Sequence, residues 1–362
     1  MYSESDPRFM QLALDLGARA LQATPNPRVG CVIVRDDAII GEGYTQQPGS
    51  SHAEIEALHD ARRRGHDAAG ATVYVTLEPC SHFGRTPPCA TALIEARVAR
   101  VVAAVEDPNP QVSGRGMEML RSAGIDVRCG LLRQEAVDAN IGFFSRMNRG
   151  RPWVRVKLAA SLDGRAALEN GASQWLTGEQ ARADGHAWRA RSCAILTGSG
   201  TIRSDDPLLS VRHVETPRQP LKVVADSQLQ TSLTARIFDG NPVLLAAAHG
   251  GAEKIEPYAQ RNAQVLVLPG PDGRVDLGEL LRELGRRGIN ELHVEAGPTL
   301  SGALVRAGLA DELLVYVAPL LLGPGRAMLE LPLLTALAGA TRLHVHDIAR
   351  IGPDVRIIAR FS

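Results

Sequence analysis

Aromatic residues make up only 4% of the 362-residue chain, and neither sign of charge is in excess, with 40 basic and 40 acidic residues giving a formal net charge of +0. A protein that tracks nucleic acid needs a basic face and aromatic rings for stacking, so this composition argues against that partner. No stretch approaches eighteen uninterrupted apolar residues, which excludes a membrane-spanning helix as an expectation. The opening "MYSESDPRFM" lacks the basic and apolar regions of a signal peptide. Five cysteines, Cys31, Cys80, Cys89, Cys129 and Cys193, are too few and too scattered for a disulfide framework. A reducing cytoplasm fits best, and there thiols are free to bind metal.

What is present is ordinary globular composition, 44% hydrophobic and 22% charged, in a chain long enough for two cores. Short β-branched runs alternate with stretches of helical period, the α/β pattern. The first half reads as a helix over 7–22, a hairpin from "GCVIV" to "AIIGEGY", a helix from His52 and a strand "TVYVTL". A helix from Pro88, a strand "RVVAAV", a helix from Gly114, a strand "IDVRC" and a helix over 133–147 follow. "NRGRPW" at 148–153 reads as a linker, so the expected domains are 1–148 and 149–362. The second α/β series includes "CAILTGSG", "LKVVADS", "NPVLLAAA", "AQVLVL" and a strand–helix–strand in "NELHVEAGPTLSGALVRAGLADELLVYVAP".

Two segments carry chemistry. "HAEIEAL" begins at His52, and Ser51 before it suits a helix N-cap, which places His52 and Glu54 in the first turn. "EPCSHFGRTPPC" puts Cys80 at the carboxyl end of a strand and Cys89 beside Pro88, a residue suited to a first helical position. Helix starts favour the thiolate that metals require. One imidazole and two thiolates leave a tetrahedral Zn²⁺ one open position, the hallmark of a catalytic site. Zinc lowers the pKa of its water from about 15.7 toward about 7, and Glu54 sits where it could move protons. His-x-Glu followed by Pro-Cys-x-x-Cys is the signature of zinc nucleobase deaminases, but here eight residues separate the cysteines instead of two. A purely structural zinc fits the ligands too, although it leaves Glu54 without work.

In the second half no Gly-x-Gly-x-x-Gly follows a strand. "LTGSGT" has two of the glycines only. "HVEAGPTLSGAL" is more telling: a strand ending at Glu295, a tight Gly297-Pro298-Thr299 turn and a helix starting near Leu300 would offer N–H groups to a pyrophosphate. An ordinary strand-to-helix turn fits the same residues.

"TPNPRVGCVIV", "HAE" and "TLEPCSHFGRTPPC", with "KLAASLDGR", "ILTGSGT", "DDP" and "VEAGPTLSGAL", resemble the bifunctional deaminase/reductase of riboflavin biosynthesis over essentially the whole chain. The resemblance implies a cytidine-deaminase-like three-layer α/β domain followed by a dihydrofolate-reductase-like α/β domain. It implies zinc-dependent deamination of 2,5-diamino-6-(5-phosphoribosylamino)pyrimidin-4(3H)-one to 5-amino-6-(5-phosphoribosylamino)uracil. NADPH-dependent reduction to 5-amino-6-(5-phosphoribitylamino)uracil would follow.

Carried over by residue, the resemblance makes His52, Cys80 and Cys89 zinc ligands and Glu54 the proton shuttle. Asn26, in the "PNP" turn, matches a base-contacting amide, and a plain turn residue fits it equally. His82 and Arg85 match substrate-side loop positions or a solvated loop. Ala159, Trp175, Thr201, Asp205, Ser227 and the run Gly297, Pro298, Thr299, Leu300, Ser301, Gly302 and Ala303 match the NADPH side. Ser173, Arg189, Leu209, Arg212 and Glu295 match substrate contacts, with Arg189 and Arg212 as a clamp on a ribose 5-phosphate. Trp175 as a core ring and the arginines as surface residues remain open. Lys157 and Asp163, flanking "SLDGR", are left out of the catalytic set. Where the family carries a histidine after "GEGY" this chain has Thr45, so a monofunctional reductase with a structural zinc domain is the rival reading. Two sites on one chain suggest a homo-oligomer acting on a small-molecule substrate.

Overall fold

The computed structural model describes residues 2–81, 88–110 and 112–362; His82 and Arg85 lie outside the described residues. The chain forms two compact units, Met1–Gly150 and Arg151–Ser362. No helix among the described residues is long and apolar enough to cross a membrane.

The first unit runs α1 (Asp6–Ala18), β1 (Gly30–Arg35), β2 (Ala38–Tyr44), α2 (Ala53–Arg63), β3 (Thr72–Val75), α3 (Cys89–Glu95), β4 (Arg100–Ala103), α4 (Arg115–Ser122), β5 (Asp126–Cys129), α5 (Arg133–Ala139) and α6 (Ile141–Arg149). Its sheet order is β2-β1-β3-β4-β5, with β1 antiparallel to β2 and β3, and β3, β4 and β5 parallel. Successive strand residues face opposite sides. A Cβ at Gly30 would meet the Ala13 carbonyl of α1, whereas one at Gly43 would lie 2.4 Å from the Ala53 carbonyl oxygen of α2. The two helices therefore cover opposite faces, and the sheet is the middle of three layers.

Ala53, Ala57 and Ala61, four residues apart and all buried, form the flat side of α2. Together with Gly43 they let the helix rest on the β2 backbone, which fixes where its first turn points. Gly43→Val is expected to destabilise the unit by about 1–3 kcal/mol through overpacking, read as a lower urea midpoint. An unchanged midpoint would show that α2 can withdraw freely.

The second unit runs β6 (Trp153–Ser161), β7 (Arg165–Leu168), α7 (Glu179–Arg191), β8 (Ala194–Gly198), α8 (Ser199–Asp205), β9 (Leu221–Ala225), β10 (Val243–Ala247), α9 (Ala252–Ala259), β11 (Ala263–Val267) and α10 (Leu277–Arg286). It continues with β12 (Glu291–Val294), α11 (Pro298–Arg306), β13 (Glu312–Ala318), β14 (Gly325–Ala327), β15 (Leu343–Ile351) and β16 (Asp354–Phe361). The large sheet has the order β11-β10-β9-β8-β12-β6-β13-β16-β15, while β14 and β7 pair separately. Seven neighbouring strands are parallel, and the β15–β16 hairpin is added antiparallel to β13. Val154, Val156, Leu196, Leu292, Val294 and Leu284 belong to one core cluster, the apolar side of this sheet.

Several boundaries differ from the sequence reading. His52, not Ser51, occupies the N-cap position of α2, in extended conformation and with no capping side-chain bond. Pro88 is likewise the residue before α3, with ψ 135°, so Cys89 is the first helical residue. The helix expected over 133–147 is broken at Asn140 (φ −118°, ψ 22°). There the side chain leaves the helix pattern: Oδ1 accepts the Arg28 N–H at 2.7 Å and Nδ2 donates to the Arg28 carbonyl at 2.9 Å. The first helix ends at Ala18 rather than near residue 22.

Candidate active sites

The end of β3, the start of α3 and the start of α2 meet in the first unit. His52 Nδ1 is 3.3 Å from Cys89 Sγ and 3.6 Å from Cys80 Sγ, and the three potential ligand atoms all lie within 4.8 Å of one another. Around a tetrahedral zinc with ordinary bond lengths an imidazole nitrogen and a thiolate sulfur stand about 3.6 Å apart. Spacing and donor chemistry both fit that ion. The Cys89 N–H also donates to Cys80 Sγ at 3.3 Å. The thiol hydrogen bond from Cys89, with His52 and that N–H, holds Cys80 down at about 4, while the same bond and burial push Cys89 up.

Glu54 is 4% exposed, and burial, then the charge of Cys80, raises its carboxyl to about 7. It is the acid beside the three donors and not one of them. Asn26 is half-buried, its N–H bonded to the Ala23 carbonyl at 2.8 Å. The turn it occupies is held by α6 through Arg146, which donates to the Pro25 carbonyl at 2.8 Å, and by the Asn140 clip on Arg28. Thr45 is buried: its hydroxyl accepts the Val29 N–H at 3.1 Å and its own N–H donates to the Val29 carbonyl at 2.9 Å. The position where the family resemblance implies a histidine thus holds an interior hydroxyl spent on the β1 entry.

In the second unit, β9, β8, β12 and β6 are parallel neighbours, so their carboxyl ends share one edge. Such edges are where open α/β sheets take ligands. Ala159 lies in the last third of β6, Thr201 in the first turn of α8 after β8, Ser227 two residues past β9, and Glu295 and Gly297 just past β12. Thr201 Oγ1 accepts the Gly297 N–H at 3.2 Å, joining the starts of α8 and α11; Ser227 Oγ accepts the Val275 N–H at 3.2 Å. α11 begins at Pro298, two residues earlier than expected, so Thr299 to Ala303 are its first turns. Asp205 is the last residue of α8.

The residues expected on the substrate side divide. Arg189 of α7 forms a two-pronged pair with Glu295, Nη2 to Oε2 at 2.8 Å and Nε to Oε1, and its Nη1 donates to the Ser210 carbonyl at 2.9 Å. The fork that the resemblance assigns to a phosphate is engaged here by a carboxylate. Burial would raise Glu295, but Arg189 beside it holds the carboxyl well below the usual range. Leu209 is buried with φ 47°, and the loop after it is fixed by the Arg212 N–H donating to His186 Nδ1 at 3.1 Å. Arg212 itself is exposed, and Ser173 lies half-buried in the segment before α7. Trp175 in the same segment is 71% exposed, with the Arg182 guanidinium 4.8 Å from its ring centre, so it is no core ring.

Sequence reasoning missed His293 and His186 around this pair and left Lys157 out of the catalytic set. His293 is fully buried, its Nε2 3.3 Å from Glu295 Oε1. Lys157 is half-buried and lowered by burial, with Glu295 and Arg189 as its charged neighbours. His186 is lowered to about 4, by burial and then Arg189. His293 stands two residues before Glu295, a period-2 relation that could have flagged it. Asp163 accepts the N–H groups of Leu322 at 3.1 Å and Gly323 at 2.8 Å.

Residues 3–105 match the cytidine and deoxycytidylate deaminase zinc-binding region, and residues 152–357 match the RibD C-terminal domain. The chain is 49% identical over 364 residues to riboflavin biosynthesis protein RibD of Escherichia coli (strain K12), covering 97% of this chain and 98% of that one. It belongs to the RibD family. Haemophilus influenzae RibD is 46% identical, covering 98% of this chain and 97% of that one. Among solved structures, Acinetobacter baumannii RibD (form 1) is similar at TM-score 0.89 and 41% identity, covering 99% of both chains. A diaminohydroxyphosphoribosylaminopyrimidine deaminase/5-amino-6-(5-phosphoribosylamino)uracil reductase of Thermotoga maritima is similar at TM-score 0.86 and 31% identity, again covering 99% of both. RibD proteins are bifunctional deaminase/reductases of riboflavin biosynthesis, and the fold of this chain is a cytidine-deaminase-like unit followed by a RibD reductase unit.

Proposed function

We propose that this RibD-family chain performs both reactions in sequence. The first unit hydrolyses the amino group of 2,5-diamino-6-(5-phosphoribosylamino)pyrimidin-4(3H)-one, and the second reduces the ribosyl chain of the resulting uracil with NADPH. The observation that carries the reading is the His52, Cys80 and Cys89 cluster with Glu54 buried beside it.

His52 Nδ1, Cys80 Sγ and Cys89 Sγ would hold zinc. When bound, zinc supplies a water acidic enough to be a nucleophile near neutral pH. Glu54, raised by burial to about 7, takes a proton on a carboxylate oxygen and returns it to a ring nitrogen. A second transfer lets the amino group depart as ammonia, so that C–NH₂ and water become C=O and NH₃. Asn26 orients the ring by its amide.

In the second unit NADPH supplies hydride when bound. Ala159, Trp175, Thr201, Asp205 and Ser227 line its side, and the first turns of α11, Gly297 to Ala303, offer N–H groups to its phosphates. Glu295 and Arg189, locked to each other, fix one wall of the substrate site, with Ser173 and Leu209 beside it. Arg212, exposed on the loop that His186 ties down, meets the ribose 5-phosphate. The protein's part here is orientation and exclusion of water.

The test follows ammonia release with and without NADPH on the zinc-loaded and chelator-stripped protein. Ammonia should appear without NADPH and vanish on stripping, while NADPH oxidation with the pre-deaminated substrate persists. No ammonia from the zinc-loaded chain, with reduction intact, would make it a reductase on a structural zinc fold.

The cytoplasm is the proposed compartment, since all five cysteines are free thiols. A homo-oligomer is proposed too. The nine-stranded sheet ends on β15, where Val345 and Ile348 are 49% and 62% exposed, next to a segment exposing Leu333 and Leu337. An apolar edge strand of this length invites a second strand. Ile348→Glu should shift the mass in sedimentation equilibrium to that of one chain; an unchanged mass would reject this edge as the interface.

A further inference from the structure

Glu78 stands two residues before Cys80 and is buried. Its carboxylate accepts four main-chain N–H groups. Oε2 takes those of Asp107 at 3.2 Å and Gly114 at 2.9 Å; Oε1 takes those of Gly116 at 2.9 Å and Met117 at 3.3 Å. Its own N–H donates to the Val105 carbonyl at 2.9 Å. No side chain of the N-cap residue, Gly114, caps α4. Glu78 takes over that work from the neighbouring strand, where the helix dipole favours a carboxylate. The peptide entering Cys80 is thereby anchored to the exit of β4 and the start of α4.

Gly116 makes the same junction sterically tight. A Cβ there would lie 1.8 Å from the Pro79 carbonyl oxygen and 3.0 Å from its carbon, so α4 rests directly on the Pro79 peptide. The Pro79 ring fixes its own φ, which leaves few soft torsions between the Glu78 anchor and the Cys80 thiol. Beyond Cys80 the chain is held again: its carbonyl accepts the Ala90 N–H at 3.1 Å and its sulfur the Cys89 N–H.

We infer that Glu78, seated against Gly116, is a positioning residue for the metal ligand Cys80. It fixes the backbone that aims Sγ at His52 Nδ1, and it acts through Cys80 rather than on metal or substrate. The inference rests on the zinc reading given above. A merely structural Glu78 would weaken the metal-free fold and leave zinc affinity where it was.

Full-length wild type, Glu78→Gln and Gly116→Ala are stripped and titrated with zinc against a chromophoric chelator, and with cobalt for the visible spectrum. NADPH oxidation with the pre-deaminated substrate reports that the second unit is intact, and the urea midpoint of the metal-free chains reports folding of the first. Glu78→Gln keeps the side-chain volume but leaves one accepting oxygen, so N–H groups on the other side lose their acceptor. Gly116→Ala removes no hydrogen bond and displaces the Pro79 carbonyl. Both variants are expected to bind zinc about 10–100-fold more weakly, with altered cobalt bands and normal reduction. Zinc affinity and cobalt bands equal to wild type overturn the inference. Should Glu78→Gln not fold, Gly116→Ala decides alone by the same readouts. A wild type that binds no zinc instead overturns the reading of the site itself.

Discussion

Glu54→Gln is expected to lower ammonia release by about 10²–10⁴-fold while zinc content and NADPH oxidation stay at wild-type levels. The amide has the shape of the carboxylate and cannot take up or return a proton. Because Glu54 is not one of the three donor atoms clustered around His52 Nδ1, its loss leaves the metal set intact. Burial that raises the carboxyl to about 7 suits it to carry protons near neutral pH, and it makes a neutral amide easy to accommodate. Ammonia is measured by a coupled assay, zinc by elemental analysis and reduction on the pre-deaminated substrate. A loss below tenfold removes Glu54 from the proton-transfer role. A parallel loss of zinc would show that it shapes the metal set after all.

The second large effect concerns Arg189. Replacing it by Met leaves the Glu295 carboxylate, 16% exposed, without its two-pronged partner, which is expected to destabilise the second unit by about 2–4 kcal/mol, somewhat less than for a fully buried pair. Combining Arg189→Met with Glu295→Gln should recover much of that loss, because the uncompensated charge is gone. Burial opposes ionisation of Glu295, yet Arg189 outweighs it and the folded carboxyl titrates well below the unfolded one. A depressed value means the pair contributes fully above the unfolded pKa of about 4.3 and fades as pH falls through the folded value. Urea midpoints of wild type and Glu295→Gln should therefore differ most at neutral pH and converge in acid. Equal midpoints at pH 7 would show the pair to be energetically neutral.

The metal cluster was legible because its elements are local: a histidine and an acid at one helix start, and two cysteines at a strand exit and another helix start. Even so, the structure moves His52 to the N-cap and Cys89 to the first helical position. The edge proposed for the cofactor came from family likeness, and the strand order brings its residues together, since Ala159 lies near the end of β6 and Thr201, Ser227 and Gly297 follow the parallel strands β8, β9 and β12. The Arg189–Glu295 pair was not legible. The partners are 106 residues apart, and they meet because β12 inserts between β8 and β6, a choice no local pattern records. Glu78 escaped for a related reason: four scattered N–H groups define its role, and none has a residue-type signature. The break at Asn140 was hidden by an apolar period that continues through it.

That break also orders events in time. The turn carrying Asn26 is closed by a side chain that leaves the ribosome 112 residues after Arg28, and by Arg146 later still. During synthesis the strands and the cluster at His52 can assemble first, with the Asn26 turn still untied. The turn is tied only when α6 emerges, immediately before the second unit begins. A fragment meant to keep this turn tied must therefore run through Arg149, and one cut in front of Asn140 would keep the His52, Cys80 and Cys89 cluster and lose the ties on the Asn26 turn.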